Sequence, residues 1–361
     1  MRQPWDLGRT SAPLRGVGWM TDRYSWLGHS PTEKGVALIA QAPYHLSELR
    51  RLQAALQRRE INAAIAVPIV PWKIFHRWRP TVRRVAETVF QSGQPLAGAL
   101  AVDALLNRCS AVVVMNDWGV PRYLVERATA RGIATFAWVE GVQDYEDLDT
   151  GLHRQAYQRV EHVFTLGEAA REHLGQDRAT AIGSERLRDL WASPVGSIGN
   201  EVVINSNFTY GVQTAARKHW VNGAVAACQD NNLSWVLSRH IAERGRSHHS
   251  ASTLDVAHLL MGANRLISRF STVALDALVL GVELIYHNPH GEQEPTFGNP
   301  MGAFTVTRSV EELTTSLQTA PRPRADVRRS AEMFLRHHVL LDSPTPPAQM
   351  AADVMSQLLN E

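Results

Sequence analysis

The chain has 361 residues, of which 44% are hydrophobic and 20% charged, and its formal net charge is +2. Because one ordinary hydrophobic core seldom supports this length, we expect two domains. The near-neutral charge argues against a nucleic-acid-binding protein. The only two cysteines, Cys109 and Cys228, are far apart, which excludes a disulfide framework and a thiolate metal site.

The sequence shows no signal for export or for spanning a membrane. No apolar run approaches the ~18 residues of a membrane-spanning helix, and the first ten residues lack the apolar segment of a signal peptide. We therefore expect a cytoplasmic protein, with peripheral contact at the inner face of the cell membrane as an option. Residues 72–84 (WKIFHRWRPTVRR) alternate aromatic and basic side chains. They form either a solvated helix surface or an interfacial patch for a lipid-linked or anionic polysaccharide acceptor.

Apolar runs alternate with helical patterns in the first half of the chain. The leucines of Leu46–Arg59 recur on one helical face, and Pro121–Arg131 begins with proline at a permitted first-turn position. We predict these two segments as helices. The predicted strands of this first series are Val36–Ala40, Ala63–Ile69, Ala111–Met115, Ile133–Trp138, His162–Thr165 and Thr180–Ile182.

A second series of strands and helices follows the Gly-, Pro- and Ser-rich stretch Trp191–Asn200. The series ends in two helices, Ala325–His337 and Pro347–Leu359. Its predicted strands are Glu201–Ile204, Trp235–Leu237, Leu266–Ser268, Glu283–Tyr286 and Phe304–Val306.

Alternating strands and helices predict an α/β protein with parallel sheets and right-handed crossovers. We expect two doubly wound, Rossmann-like domains that face each other across a cleft. The expected divisions are an N-terminal extension (1–34), a first domain (35–195), a second domain (196–342) and a C-terminal helix (343–361). The C-terminal helix is a candidate to pack back on the N-terminal domain.

Ligands of doubly wound sheets bind beyond the carboxyl ends of the strands, so the residues that follow the strands are the candidates for a site. Side chains that can bind phosphate, bind hydroxyls or transfer protons are concentrated there. In the first domain these candidates are His45, Asp117 and Glu140, and in the second they are Ser206, Asn207, His240, Ser271, Thr272 and Asn288.

The stretch Arg265–Pro289 carries the most specific pattern. A strand ends in a Ser-rich turn, and a helical segment, Val273–Leu280, follows directly. Serine and threonine at a helix start, with unpaired N–H groups and the positive end of the helix dipole, suit a phosphate group. Asp276, one turn further on, is placed to accept hydroxyl groups. The structural alternative is that Ser271 or Thr272 only caps the helix, and that Asp276 pairs with a buried cation such as Arg269.

Four segments resemble one enzyme family, in the family's order. Ser268–Tyr286 resembles the Ser-Ser/Thr-x-x-x-Asp segment of the CDP-glycerol glycerophosphotransferases and related capsule and surface-carbohydrate glycosyltransferases. Ile182–Leu190 is similar to their Gly-x-Pro-Arg-x-Asp-x-Leu run, and Val203–Phe208 to their Ile-Asn-Thr-Asn-Phe strand. Leu237–His240 lies where the family has a strand that ends in His-Pro. The resemblance covers roughly residues 130–310 and implies the GT-B fold.

The sequence departs from this family at several positions. Ile241 stands where proline is usual, Glu283 where Gly-x-Pro is usual, and Ser184-Glu185 replaces a small residue followed by proline. The family has Trp-His-Gly where this chain has Trp138-Val139-Glu140-Gly141, so a carboxylate occupies the position of the histidine. That difference favours a sugar transferase or a diverged member over glycerophosphate transfer.

The resemblance implies an enzyme that moves a sugar, or a polyol phosphate, from a nucleotide-activated donor to a cell-surface glycan or lipid-linked acceptor. It implies an acceptor-side N-terminal domain and a donor-binding C-terminal domain. It also implies that no metal or other cofactor is required. A UDP-sugar 2-epimerase-like isomerase and a non-catalytic nucleotide-sugar-binding protein are the alternatives.

The predicted roles follow from the chemistry of such a transfer. Ser271 and Thr272 are assigned to donor phosphate, Asp276 to ribose or sugar hydroxyls, and His240 to the phosphate or the base. Glu140 is the first candidate for general base, followed by His45 and Asp117. The acidic stretch 144–149 is interpreted as a solvated loop or a helix start rather than a metal site.

Overall fold

The computed structural model describes residues 25–28, 34–40, 45–69, 105–117, 120–142, 156–196, 199–208, 215–239, 249–252 and 254–360. Three of the predictions, for residues 72–84, for 144–149 and for His240, fall outside these residues. The chain divides into two units. Unit 1 is Met1–Glu140, Leu152–Glu185 and Ser343–Glu361, and unit 2 is Gly141–Gly151 and Arg186–Asp342.

Unit 1 is built on a mostly parallel sheet. Its strands are β1 (Ser25–Gly28), β2 (Gly35–Ile39), β3 (Ala63–Ile69), β4 (Cys109–Val114), β5 (Ala134–Trp138), β6 (His162–Thr165) and β7 (Ala179–Ala181). Their order in the sheet is β1-β3-β2-β4-β5-β6-β7. β1 pairs antiparallel with β3, and the other neighbours pair in parallel. Part of the stretch expected as an N-terminal extension therefore belongs to the sheet.

Unit 2 is built on a wholly parallel sheet. Its strands are β8 (Glu201–Ser206), β9 (Ser234–Arg239), β10 (Ala263–Ser268), β11 (Glu283–His287) and β12 (Thr305–Thr307). They are arranged as β12-β11-β10-β8-β9. Each predicted strand of both series overlaps an observed one, because strands covered on both faces read as short apolar runs. The predicted α/β class with two doubly wound domains is confirmed.

Helices connect the strands of both units. In chain order they are α1 (His45–Gln57), α2 (Val120–Thr129), α3 (Glu168–Leu174), α4 (Glu185–Ala192), α5 (Arg217–Asp230), α6 (Val256–Met261), α7 (Thr272–Leu280), α8 (Pro295–Gly298), α9 (Val310–Gln318), α10 (Arg324–His338) and α11 (Pro347–Asn360). α11 packs on α1 in the core of unit 1, where Ala351 and Met355 join Leu49 and Leu52. Arg59 of unit 1 forms an ion pair with Asp353 of α11.

The helix α7 is buried over most of its length. All residues from Ala274 to Val279 are buried, so no polar stripe interrupts the apolar surface except at Asp276. The helix ends at Gly281, whose φ of 75° is left-handed and favours glycine. A Cβ there would lie 2.4 Å from the carbonyl oxygen of Arg324, so glycine is required on both counts.

Candidate functional site

In unit 2 the loops after β8 and β10 lie side by side, because these strands are neighbours in the sheet. Chain order reverses between them, with β9 beyond β8 on one side and β11 beyond β10 on the other. Open α/β sheets bind ligands beyond the strand ends at such a reversal point. The side-chain amide of Asn207 donates to the carbonyl oxygen of Phe270 at 3.1 Å, which ties the two loops together.

A buried ion pair fixes these loops to the loop after β11. The Arg269 guanidinium is wholly buried, and its Nε and Nη2 lie 2.8 and 2.5 Å from Glu292 Oε2. Its Nη1 donates to the carbonyl oxygen of Asn207 at 2.7 Å. The other oxygen, Glu292 Oε1, accepts from the Phe270 N–H at 3.2 Å and the Tyr286 hydroxyl at 2.9 Å. One ion pair therefore holds three strand-end loops in place.

The ionisation of this cluster follows from its hydrogen bonds. Burial alone would raise the pKa of Glu292, but the hydrogen bonds and charges of His290, Arg269 and Tyr286 outweigh it and lower that pKa. Burial, together with the adjacent Glu292 carboxylate, raises the pKa of Tyr286. Glu292 is therefore a charged acceptor and Tyr286 a neutral donor.

The Ser271-Thr272 turn leads into α7, as the sequence predicts. Ser271 is the N-cap, and its Oγ accepts from the Val273 N–H at 3.3 Å. Thr272 Oγ1 accepts from the Val142 N–H at 3.0 Å. A Cβ on Gly141 would lie 1.9 Å from that oxygen, so the backbone passes very close to it. Both hydroxyls thus have structural partners, and each also carries a hydrogen that it can donate.

Asp276 forms an ion pair with Arg186. The structural alternative had named Arg269 as its partner. Its Oδ1 lies 2.5 Å from Arg186 Nη1, whereas Arg269 binds Glu292. The Asp276 side chain is 6% exposed and that of Arg186 is 46% exposed. Burial raises the pKa of Asp276, and the Arg186 guanidinium opposes that shift. The carboxylate is therefore committed to an arginine in this structure.

The other predicted donor-side residues have different surroundings. Asn288 uses both its amide nitrogen and its amide oxygen within its own loop, since Nδ2 donates to the Glu292 carbonyl oxygen at 2.8 Å and Oδ1 accepts from the Glu292 N–H at 2.7 Å. Ser206 is the buried last residue of β8. Of the set predicted in unit 2, Asn207, Ser271 and Thr272 lie at the reversal point, with Asp276 one turn along α7.

In unit 1 two of the predicted residues meet. His45 is the first residue of α1, which follows β2, and Glu140 follows β5. The imidazole Nε2 of His45 is hydrogen-bonded to Glu140 Oε2. The Glu140 side chain is 16% exposed, whereas that of His45 is 2% exposed. A buried imidazole thus holds a carboxylate whose surface is partly open to solvent.

Asp117 has a structural environment instead. It is wholly buried, and its two carboxylate oxygens accept from the main-chain N–H groups of Tyr157 and Arg159 at 2.5 and 2.7 Å. Burial raises the pKa of Asp117, and these hydrogen bonds oppose the rise. The carboxylate therefore anchors the segment before β6, which its position after a strand could not reveal.

Sequence reasoning gave no role to Arg186 or to the Arg269–Glu292 pair. Arg186 lies in the segment that resembles Gly-x-Pro-Arg, so the resemblance was a usable signal for it. Nothing in the sequence signals that Arg269 binds a glutamate 23 residues further along the chain. Among the described residues, no group of three or more His, Cys, Asp or Glu could hold a metal ion. No helix in the described part of the chain is long and apolar enough to cross a membrane.

No protein-family model matches the chain. Curated sequences similar to part of it include the mitochondrial import receptor subunit TOM40 homolog of Xenopus tropicalis, which is 28% identical over 162 residues. That match covers 44% of this chain and 46% of the relative. The chain thus spans less than half the length of the curated relative, and such a match does not place it in that family.

Solved structures agree with the two-sheet architecture over nearly the whole chain. The Methanocaldococcus jannaschii UDP-GlcNAc 2-epimerase, in complex with UDP-GlcNAc and UDP, superimposes with a TM-score of 0.55 at 12% identity, covering 90% of this chain and 99% of that one. The spinosyn forosaminyltransferase SpnP gives a TM-score of 0.53 at 14% identity, covering 91% and 100%. The chain has the GT-B fold. At these identities the likeness extends to the fold alone.

A third GT-B structure is the wall teichoic acid polymerase TagF. Its structure with CDPG gives a TM-score of 0.50 at 10% identity and covers 98% of this chain and 94% of that one. Proteins with this fold thus include an epimerase and two kinds of transferase, so the fold by itself leaves the reaction open.

Proposed function

We propose that this chain is a glycosyltransferase that moves a sugar, or a polyol phosphate, from a nucleotide-activated donor to a cell-surface glycan or lipid-linked acceptor. The observation that carries the proposal is the His45–Glu140 pair of unit 1. Transfer to a hydroxyl with inversion needs a base that takes the acceptor's proton. A carboxylate fixed by a buried imidazole at a strand end suits that task.

Glu140 is the general base in this proposal, and His45 positions it. Glu140 keeps part of its side chain exposed, whereas His45 is almost fully buried, so the carboxylate is the group that can meet a substrate. The imidazole of His45 holds Oε2 and leaves Oε1 for the acceptor hydroxyl. Asp117 has no place in proton transfer, because main-chain N–H groups occupy both of its oxygens.

Unit 2 binds the donor in this proposal. The reversal point between β8 and β10 is the expected place for a nucleotide in a sheet of this order. The hydroxyl hydrogens of Ser271 and Thr272 and the start of α7 suit phosphate oxygens. The buried Arg269–Glu292 pair supports this role, because it fixes the loops before the nucleotide arrives.

The mechanism is proposed to need no metal, and activity should then persist in a chelator. Nucleic acid is not an expected partner. A membrane contact through residues 72–84 stays a prediction.

Two alternatives remain. An isomerase of the UDP-sugar 2-epimerase type stays open, because the shared fold does not separate an epimerase from a transferase. A non-catalytic nucleotide-sugar-binding protein is favoured by the absence of the family's histidine at position 140. Donor turnover that occurs without any acceptor indicates the isomerase, and donor binding without turnover on any acceptor indicates the binding protein.

The Glu140→Gln variant tests the proposal. Glutamine preserves the size of the side chain but cannot take a proton, so turnover should fall by about 100-fold or more. Donor affinity, measured by calorimetry, should stay near that of wild type. Glu168→Gln, at a glutamate of α3 in the same unit whose side chain is 41% exposed, is the matched control and should be neutral. Turnover of Glu140→Gln within a few-fold of wild type would remove the base assignment, and His45→Ala would then be assayed.

A further inference from the structure

Arg186 differs from the buried arginines of unit 2. Arg265, Arg269 and Arg324 are 1%, 0% and 5% exposed, and each makes several hydrogen bonds to protein groups. The Arg186 side chain is 46% exposed and is held through one nitrogen, Nη1. Its remaining N–H groups are therefore accessible to a ligand.

The carboxylate that holds Arg186 stands in an apolar environment. Asp276 is surrounded in α7 by the buried residues Ala274, Leu275, Ala277 and Leu278. Burying a carboxylate is costly unless a cation and hydrogen bonds compensate it. A hydrophobic residue at this position would pack as well and without that cost. The main consequence of an aspartate here is that it fixes one end of the Arg186 guanidinium.

The location of the pair is also specific. Asp276 follows Thr272 by four residues, so the two lie on one face of α7, one turn apart. Helical side chains point back toward the N-terminus of their helix. Asp276 thus holds Arg186 on the face of α7 that carries Thr272, at the reversal point of the sheet.

We propose that Arg186 binds a phosphate group of the nucleotide donor and that Asp276 positions it. This inference rests on the proposed function and replaces the direct contact with ribose or sugar hydroxyls that the sequence predicted for Asp276. A guanidinium presents a planar fork of N–H donors that matches phosphate oxygens in two-point hydrogen bonds. Because Asp276 occupies one nitrogen only, the rest of the fork is preorganised for the anion.

The competing explanation is that the pair only fastens α4 to α7. Arg186→Ala alone cannot separate the two, since it leaves a buried carboxylate without its partner and is expected to destabilise unit 2. The double variant Arg186→Ala/Asp276→Asn removes both charges and so avoids that penalty. The matched control is Arg329→Ala/Asp326→Asn, which removes an exposed Arg–Asp pair of α10 in the same unit.

The experiment is calorimetric binding of inorganic pyrophosphate, CMP, CDP, UDP, GDP and the parent nucleosides to wild type and both double variants. Wild type should bind pyrophosphate and at least one nucleoside diphosphate. The Arg186→Ala/Asp276→Asn variant should bind both at least about ten-fold more weakly, because it lacks charge-assisted hydrogen bonds to phosphate. Its affinity for the nucleoside should be unchanged, and the control should match wild type throughout.

The outcomes separate the inference from the proposed function. Wild type that binds a nucleoside diphosphate, with unchanged affinity in the Arg186→Ala/Asp276→Asn variant, overturns the inference alone. Equal weakening of nucleoside and diphosphate binding also overturns it, because the pair would then act only through the fold. Wild type that binds none of the tested nucleotides contradicts the proposed function and, with it, the inference.

Discussion

Glu294 shows how strongly the interior of unit 2 acts on a single carboxyl group. Its Oε2 caps the short helix α8 by accepting from the Phe297 N–H at 3.0 Å. No hydrogen-bond partner reaches Oε1 within the part of the chain that the structure describes. Burial raises the pKa of Glu294 from 4.5 to about 8, so the group is mostly protonated in the folded protein at neutral pH.

This pKa predicts a pH dependence of stability. The unfolded chain releases the proton near pH 4.5 and the folded protein only near pH 8. The contribution of Glu294 is therefore complete below pH 4.5 and is lost as pH rises through about 8. Relative to Glu294→Gln, which cannot ionise, wild type should lose roughly 3–5 kcal/mol over that window.

The measurement is thermal unfolding of wild type and Glu294→Gln at pH values across this window. Wild type and Glu294→Gln both contain His287 and His338, so the difference in stability between the two proteins isolates Glu294. The two histidines would otherwise mask it, because they act in the opposite direction. Burial lowers the pKa of each of these histidines to about 4, so their contribution is complete above pH 6.5 and is lost as pH falls toward 4. A constant difference between wild type and Glu294→Gln would contradict the burial argument.

At the scale of elements, buried arginines hold the helix ends of unit 2. Arg324, at the start of α10, donates from Nη2 to the carbonyl oxygens of Leu260, Met261 and Ala263, and from Nη1 to that of Leu280. The carbonyls of Leu260, Met261 and Leu280 lie at the C-terminal ends of α6 and α7, where a cation is also favoured by the helix dipole, and that of Ala263 lies at the start of β10. One side chain therefore satisfies the ends of two helices.

Arg324→Met should consequently be among the more destabilising changes in unit 2. It leaves buried carbonyl groups without donors, which should cost about 2–4 kcal/mol in urea unfolding. Arg329→Ala on the same helix is the control, because that side chain is 76% exposed, and it should stay within about 0.5 kcal/mol of wild type. Equal stability of the two variants would show that Arg324 has no capping role.

The sequence predicts the elements better than their partners. Buried parallel strands and buried helix faces leave apolar patterns in the sequence. Both series of strands, and helices such as α1 and α7, can therefore be predicted from the sequence. β1 lies at the end of the strand order and has only two adjacent apolar residues, Trp26 and Leu27, so it leaves no apolar run to predict from. The pairs at the sites join residues 95 and 90 positions apart, His45 with Glu140 and Arg186 with Asp276. Such pairing depends on tertiary packing, which a single sequence does not record.

The candidate site illustrates the same limit. His45, Glu140, Ser271 and Thr272 were chosen because they follow predicted strands. The structure places these residues at strand ends or at a helix start. The same rule also selected Asp117, whose partners are main-chain N–H groups of a segment about 40 residues later. Strand ends thus identify where polar groups gather, but burial and partners decide which of them can meet a ligand.

At the scale of the whole molecule, the two units repeat one arrangement. Among the parallel strands of each sheet, the second in chain order lies beside the first on one side, and the later strands follow on the other. The reversal falls between β2 and β4 in unit 1 and between β8 and β10 in unit 2. His45 follows the strand on one side of the first reversal, and the Ser271-Thr272 turn follows the strand on one side of the second. Each unit therefore carries its candidate residues where its own fold favours a ligand.

The central claim is that this GT-B chain binds a nucleotide-activated donor. A thermal-shift screen with CMP, CDP, UDP, GDP and their sugars tests it most directly, with calorimetry on any compound that shifts the melting temperature. At least one nucleotide should stabilise the protein, by ~2.7 kcal/mol when its concentration is 100 times the dissociation constant. If no nucleotide changes the melting temperature at millimolar concentration and calorimetry detects no binding, the claim is contradicted.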